Sequence, residues 1–139
     1  MSLSSLFSAM EISASGLSAQ RIRMNVIASN IANAQTTHTP EGGPYRRKEV
    51  IFGAVLESAG KGEGVKVLGI FPDPSPFKVI YDPSHPDADP QGYVKMPNVN
   101  VILEMIDMIS ATRSYEANVS ALKAAQNMAL KALEIGRRY

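Results

Sequence analysis

The sequence predicts a mainly α protein with a small β insert, in which N- and C-terminal helices form an antiparallel coiled coil around a central β-rich segment. Three observations carry this prediction. A proline-free stretch at residues 100–138 holds an apolar repeat of period 3.5, a second such repeat runs through residues 3–34, and all nine prolines fall between them. The corresponding division is residues 1–34 and 98–139 for the helical part and residues 35–97 for the insert.

The N-terminal repeat advances in sevens through Leu3, Met10, Leu17, Met24 and Ile31, with Leu6, Ser13, Gln20, Ile27 and Ala34 between. Eight serines among the first 29 residues and a mid-helix Gly16 make this segment a poor helix on its own, Gly alone costing about 1 kcal/mol relative to Ala. Its helicity must come from docking. Asn30 and Asn33 stand where the repeat stops. Asn tolerates left-handed backbone and its amide bonds local groups, so one of the two can end the helix while the other bonds a helix alongside, with Asn118 or Arg113 as partners.

Between the helices, turn chemistry separates four candidate strands at residues 45–52, 65–71, 77–81 and 93–96, rich in β-branched and aromatic side chains. Glu41-Gly42-Gly43-Pro44, Gly60-Lys61-Gly62-Glu63-Gly64 and Pro72-Asp73-Pro74-Ser75-Pro76 supply the turns. Four short strands bury little, so the insert must pack on the helices or on a neighbour.

The C-terminal stretch is built from strong helix formers, with Asn100 placed to cap its start and Arg137 and Arg138 suited to the negative end of its dipole. Its predicted seam is Val101, Met105, Met108, Thr112, Tyr115, Val119, Leu122, Gln126, Ala129 and Leu133. Ser13 and Gln20, facing Thr112 or Gln126, are candidate register devices. At 1.5 Å per residue the helix is roughly 58 Å long and outruns any domain of this size, so the rest of its length requires a partner.

Composition excludes several classes of function. A net charge of +1 with scattered basic residues gives no field for a nucleic-acid backbone. The absence of cysteine removes disulfides, thiolate catalysis and thiolate metal sites. The most apolar run, residues 99–109, is short and interrupted by Glu104 and Asp107, so direct membrane insertion is not expected. The N-terminus lacks the basic region and continuous apolar run of a secretory signal; its resemblance to an organellar transit peptide is superficial, since the same residues carry the heptad.

No cofactor or metal is expected. His38 and His85 lack ligand-spaced companions, the acidic residues 82–92 do not fit a calcium loop, and neither phosphate-loop nor nucleophile-elbow spacing occurs. Ser84, His85 and Asp82 are triad letters in a turn rather than triad geometry. Arg46-Arg47-Lys48 reads either as a solvated, edge-protecting cluster or as a contact for an acidic partner.

Two motifs resemble a known family. Ala28-Ser29-Asn30-Ile31-Ala32-Asn33, closing the first helix, resembles the N-terminal signature of bacterial flagellar axial proteins, the rod, hook and hook-associated subunits. Ser110-Ala111-Thr112-Arg113-Ser114-Tyr115-Glu116-Ala117-Asn118 is similar to their C-terminal signature. The turn from Thr36 to Tyr45 is longer than the Thr-Pro-Gly-Tyr that follows the first motif in many of those proteins, and with Gly64-Val65-Lys66-Val67, Tyr81-Asp82-Pro83 and the short chain it points to a proximal-rod member.

The resemblance implies a structural, non-enzymatic subunit of the periplasmic rod of the flagellar basal body, exported by the flagellar type III system without a cleaved signal peptide. Its partners would be copies of itself, other rod subunits, and MS-ring and export-apparatus proteins at the rod base. Apolar seams at both chain ends suit this, since filaments arise from heterologous contacts that do not close. The expected assembly interface comprises Leu3, Leu6, Met10, Leu17, Met24, Ile27, Asn30, Ile31 and Asn33 with Met105, Met108, Tyr115, Val119, Leu122 and Leu133. A soluble coiled-coil adaptor that binds a client helix is the alternative.

Overall fold

A single α-helix, α1 (Leu3–Ala32), is followed by β1 (Lys48–Val55), β2 (Gly64–Pro72), β3 (Lys78–Tyr81), β4 (Tyr93–Met96) and a longer helix, α2 (Val101–Arg137). This computed structural model describes residues 2–55 and 64–138. Residues 60–63 of the glycine-rich turn expected between the first two strands lie outside the described residues. Ser2 caps α1 by accepting from the Ser5 amide, and Asn100 caps α2 by accepting from the Ile102 and Leu103 amides at 3.1 and 3.3 Å. No described helix is long and apolar enough to cross a membrane.

The two helices pack antiparallel. Gly16 lies against Asn118 and Asn30 against Glu104, so advancing along α1 means retreating along α2. Leu6, Ser13, Ala19, Val26, Ile27 and Asn30 are the buried residues of α1. Those of α2 are Glu104, Ala111, Ala125 and Ala129.

Half of the predicted α2 seam differs from this. Met108, Tyr115, Leu122 and Ala129 keep their places, but the alternate positions are taken by Glu104, Ala111, Asn118 and Ala125 rather than Met105, Thr112, Val119 and Gln126. The reason is steric. Alanine lets the helices approach closely, and a Cβ on Gly16 would meet the Asn118 amide at 2.8 Å, so the smallest face of α2 turns to α1 instead of the most apolar one. Ser13 and Gln20 do not set the register as expected: Gln126 is exposed, and the buried Oε1 of Gln20 has no hydrogen-bond partner among the described residues.

Gly16 is thus a close-approach residue as well as a weak helix former. Gly16→Ala gains about 1 kcal/mol of helix propensity but must displace the Asn118 side chain, which is held by a 3.0 Å bond from Nδ2 to the Ser114 carbonyl. It is expected to lower the melting temperature alone. In an Asn118→Ala background the same change is expected to raise it, a sign reversal that calorimetry reads directly.

The insert consists of two antiparallel hairpins. β1 and β2 pair from Lys48 opposite Pro72 to Val55 opposite Gly64, with an irregularity after Ile51 that leaves Leu68 between Gly69 and Val67. β3 and β4 pair from Lys78 opposite Met96 to Tyr81 opposite Tyr93, whose rings meet edge to face at 5.3 Å. Gly92, at φ +90°, closes the intervening turn, where the Asp82 amide bonds its carbonyl. α1 carries the first hairpin along one side: the Val65 amide donates to Ser15 Oγ at 3.1 Å.

β1 begins three residues later than predicted because distant partners take the donors a strand would use. The Tyr45 amide bonds the Thr36 carbonyl at 2.9 Å, and the Arg47 amide bonds Asn98 Oδ1 at 2.8 Å. Phe77 likewise stays out of β3, its ring lying 4.1 Å beneath the Arg46 guanidinium.

Candidate assembly surface

Where α1, α2 and the start of β1 meet, a polar joint fixes how the insert sits on the helices. Asn30, only 1% exposed, is its centre. Its Nδ2 donates to Glu104 Oε2 at 3.1 Å and to the Lys48 carbonyl at 2.9 Å, while its Oδ1 accepts from the Lys48 amide at 3.0 Å and from the Tyr45 hydroxyl at 2.9 Å. All four bonding positions of the amide are therefore filled. Toward Lys48, Asn30 behaves as a neighbouring strand would, offering one donor and one acceptor to a single residue.

Glu104, equally buried, also receives the Arg47 Nε. Arg47 contacts Glu49, reaches Asp73 Oδ2 at 3.1 Å and lies 3.8 Å from Asp107. Burial lowers its pKa, but the bonds to Glu104 and Glu49, the Glu104 charge and the bond to Asp73 outweigh that, so its proton is held more firmly than on a free arginine. The Ser75 hydroxyl and amide, and after them Arg47, hold the Asp73 carboxyl below the usual range. The two arginines of the basic triplet are consequently neither a solvated edge nor a contact for a foreign acidic surface, whereas Lys48 is exposed: the acidic partners of Arg47 are internal, and Arg46 donates to the Asp73 and Ser75 carbonyls at 2.8 and 2.9 Å.

The two asparagines divide their roles as expected, but with other partners. Asn33 is the C-cap, donating to the Ser29 carbonyl at 2.9 Å, and Asn30 crosses to α2, where it meets Glu104 instead of Asn118 or Arg113. Asn98 is a bridge as well: it accepts from the Arg47 amide and donates to the Asp73 and Ser75 carbonyls at 3.2 and 3.0 Å. Asn33→Ala is therefore expected to change stability by less than about 1 kcal/mol, and Asn98→Ala to cost about 1–3 kcal/mol. Urea midpoints of the two variants decide the order.

The sequence-expected interface residues fall into three groups. Leu6, Ile27 and Asn30 are buried between the elements. Met10, Leu17, Met24, Ile31, Asn33, Met108, Tyr115, Val119 and Leu122 are half-buried. Leu3, Met105 and Leu133 are exposed, the last two by 53% each.

An exposed apolar face lies outside the contact between α1 and α2. Ile102, Leu103, Met105, Ile106 and Ile109, all more than half exposed, cover the start of α2, with Ile102, Ile106 and Ile109 spaced along one helix face. At the opposite end of the pair Leu3 and Phe7 of α1 and Met128, Leu130, Leu133 and Ile135 of α2 are also exposed, without sharing one face of α2. Of these, Ile102, Ile106 and Ile109 were legible as a four-three spacing inside the most apolar run of the chain. Asn98 carried no local signal, while Arg47 showed only as part of a basic cluster and Glu104 only as an interruption of that run.

An open groove of about 950 Å³ is lined by apolar side chains such as Ile22, Val26, Tyr45, Ile70 and Phe77 together with Asn25, Glu41, Arg46 and Lys48. No grouping of His, Asp and Glu among the described residues could hold a metal ion. The chemistry on offer is burial of apolar surface.

Comparison with known proteins points the same way. Residues 10–37 match the family described as "Flagella basal body rod protein", and residues 91–135 match "Flagellar basal body rod FlgEFG protein C-terminal". The chain is 47% identical to the flagellar basal-body rod protein FlgC of Bacillus subtilis (94% of this chain, 98% of that protein) and 45% identical to that of Borreliella burgdorferi (94% and 97%). It is 45% identical to FlgC of Escherichia coli O157:H7 (95% and 98%).

Proposed function

The chain belongs to the FlgC family of flagellar basal-body rod proteins, and on that premise we propose that this structural subunit polymerises through α1 and α2 into the proximal part of the rod. The rod is the axial shaft that carries torque, and the subunit acts by assembly rather than catalysis. Residues 1–34 and 98–139 form its inner, helical part and residues 35–97 its outer, β-rich part. Its neighbours are copies of itself and other rod subunits, with MS-ring and export-apparatus proteins at the base. It reaches the periplasm through the flagellar type III pathway without a cleaved signal peptide.

The single observation that carries this reading is the exposed apolar face of Ile102, Met105, Ile106 and Ile109, which lies on the side of α2 turned away from α1. Burying it against a second subunit removes from water side chains worth about 1.5–3 kcal/mol each when fully covered. A soluble adaptor offering the same face to a client helix is not favoured, because the relatives matched over nearly the whole chain are rod proteins. The test is genetic and structural together. Deleting the gene is expected to abolish motility and rods, complementation to restore both, and a cryo-EM map of isolated basal bodies to place both helices in the inner layer; a deletion strain with intact rods contradicts the reading.

A further inference from the structure

We infer that Asn30 is a conformational interlock that makes the seating of β1 on α1 conditional on the register between α1 and α2. Lys48 dictates the direction of the Asn30 amide. The Lys48 N–H can only donate, so Oδ1 must face it, and Nδ2 is then turned toward both the Lys48 carbonyl and α2. Whatever stands opposite on α2 must be an acceptor, and in this register it is Glu104 Oε2.

Apolar packing alone does not choose that register. The seam repeats every seven residues, with alanine at 111 and 125, so a slip of one heptad, about 10.5 Å along the axis, still sets small and apolar side chains against each other. Such a slip places Ala111 or Pro97 opposite Asn30, and neither has a side-chain acceptor. Glu104, buried beside it, is separated from Asn30 at the same time.

A second complementary pair has the same spacing. Gly16 and Asn30 are two heptads apart on α1, as Glu104 and Asn118 are on α2, so the Gly16–Asn118 fit and the Asn30–Glu104 bond are satisfied by the same register. One heptad away, Asn118 would stand opposite Ala9 or Arg23, where a Cβ already occupies the space Gly16 leaves open. Arg47 completes the coupling, since it holds Glu104 from the residue next to Lys48. The first residue of β1 therefore reads the position of α2 through one side chain of α1.

The experiment uses the free full-length chain, so its result is separate from whether the chain builds rods. Because the protein has no cysteine, spin labels at Glu11→Cys and Ser110→Cys report the axial offset of the helices alone, while hydrogen exchange reports the Lys48 amide. Glu104→Leu leaves Asn30, the direct partner of that amide, untouched. It is expected to speed Lys48 exchange about tenfold or more and to add a second component to the distance distribution. Exchange within about threefold of the parent, or a single parental distance, overturns the inference. Glu104→Gln keeps an acceptor for Nδ2 and decides the question by itself should the leucine variant not fold: near-parental exchange and one distance are expected, and a tenfold rise overturns the interlock.

Discussion

Asn30→Asp is expected to be the most damaging single substitution in the joint, on the order of 3–5 kcal/mol, although it changes one amide nitrogen to oxygen. The carboxylate would be buried with one oxygen against the Lys48 carbonyl and the Glu104 carboxylate, where Nδ2 now donates to both. Two buried negative charges would then share Arg47. Ordinary truncation is gentler: Asn30→Ala leaves the Lys48 amide and carbonyl and the Tyr45 hydroxyl short of partners, for about 1–3 kcal/mol. Urea unfolding followed by circular dichroism separates the two, and equal midpoints for Asp and Ala would show that the site is wet enough to solvate a carboxylate.

Ile106→Asp and Ile109→Asp are expected to have the opposite profile, with stability of the free subunit unchanged within about 0.5 kcal/mol and assembly abolished. Both side chains are already exposed in the monomer, by 56% and 60%, so a carboxylate there meets water. In the proposed assembly the same carboxylate would be buried without a partner, which costs several kcal/mol per subunit and repeats in every copy. Leu122→Asp is a poorer probe, because Leu122 is half-buried in line with Asn118 and Ala125 against α1, and loss of assembly could follow from loss of fold. Motility of a deletion strain carrying each variant, read beside the melting temperature of the purified chain, checks the pairing of effects.

What was legible in the sequence was what local chemistry decides. Asn100 caps α2, β4 occupies its expected residues, and the proline-free heptads became α1 and α2, because caps, turns and periodicity act over a few residues. The start of β1 was not, since Thr36, at the far end of the preceding turn, claims the amide of Tyr45 and Asn98, 51 residues away, claims that of Arg47. Glu104 illustrates the same limit. In sequence it interrupts an apolar run, yet it is buried in the seam because Asn30 and Arg47, 74 and 57 residues away, supply its donors. The apolar period located the seam on α2 only to within one position at alternate turns, because close approach favoured Ala111 and Ala125 over larger neighbours, leaving Met105 outward.

The most direct test of assembly through the exposed face of α2 is the reactivity of one cysteine placed on it. In the otherwise cysteine-free chain, Ile109→Cys should react freely with a maleimide in the purified subunit. In basal bodies isolated from motile cells carrying that variant, it should be protected until the rods are denatured. Equal reactivity in the assembled rod and the free subunit would contradict the account.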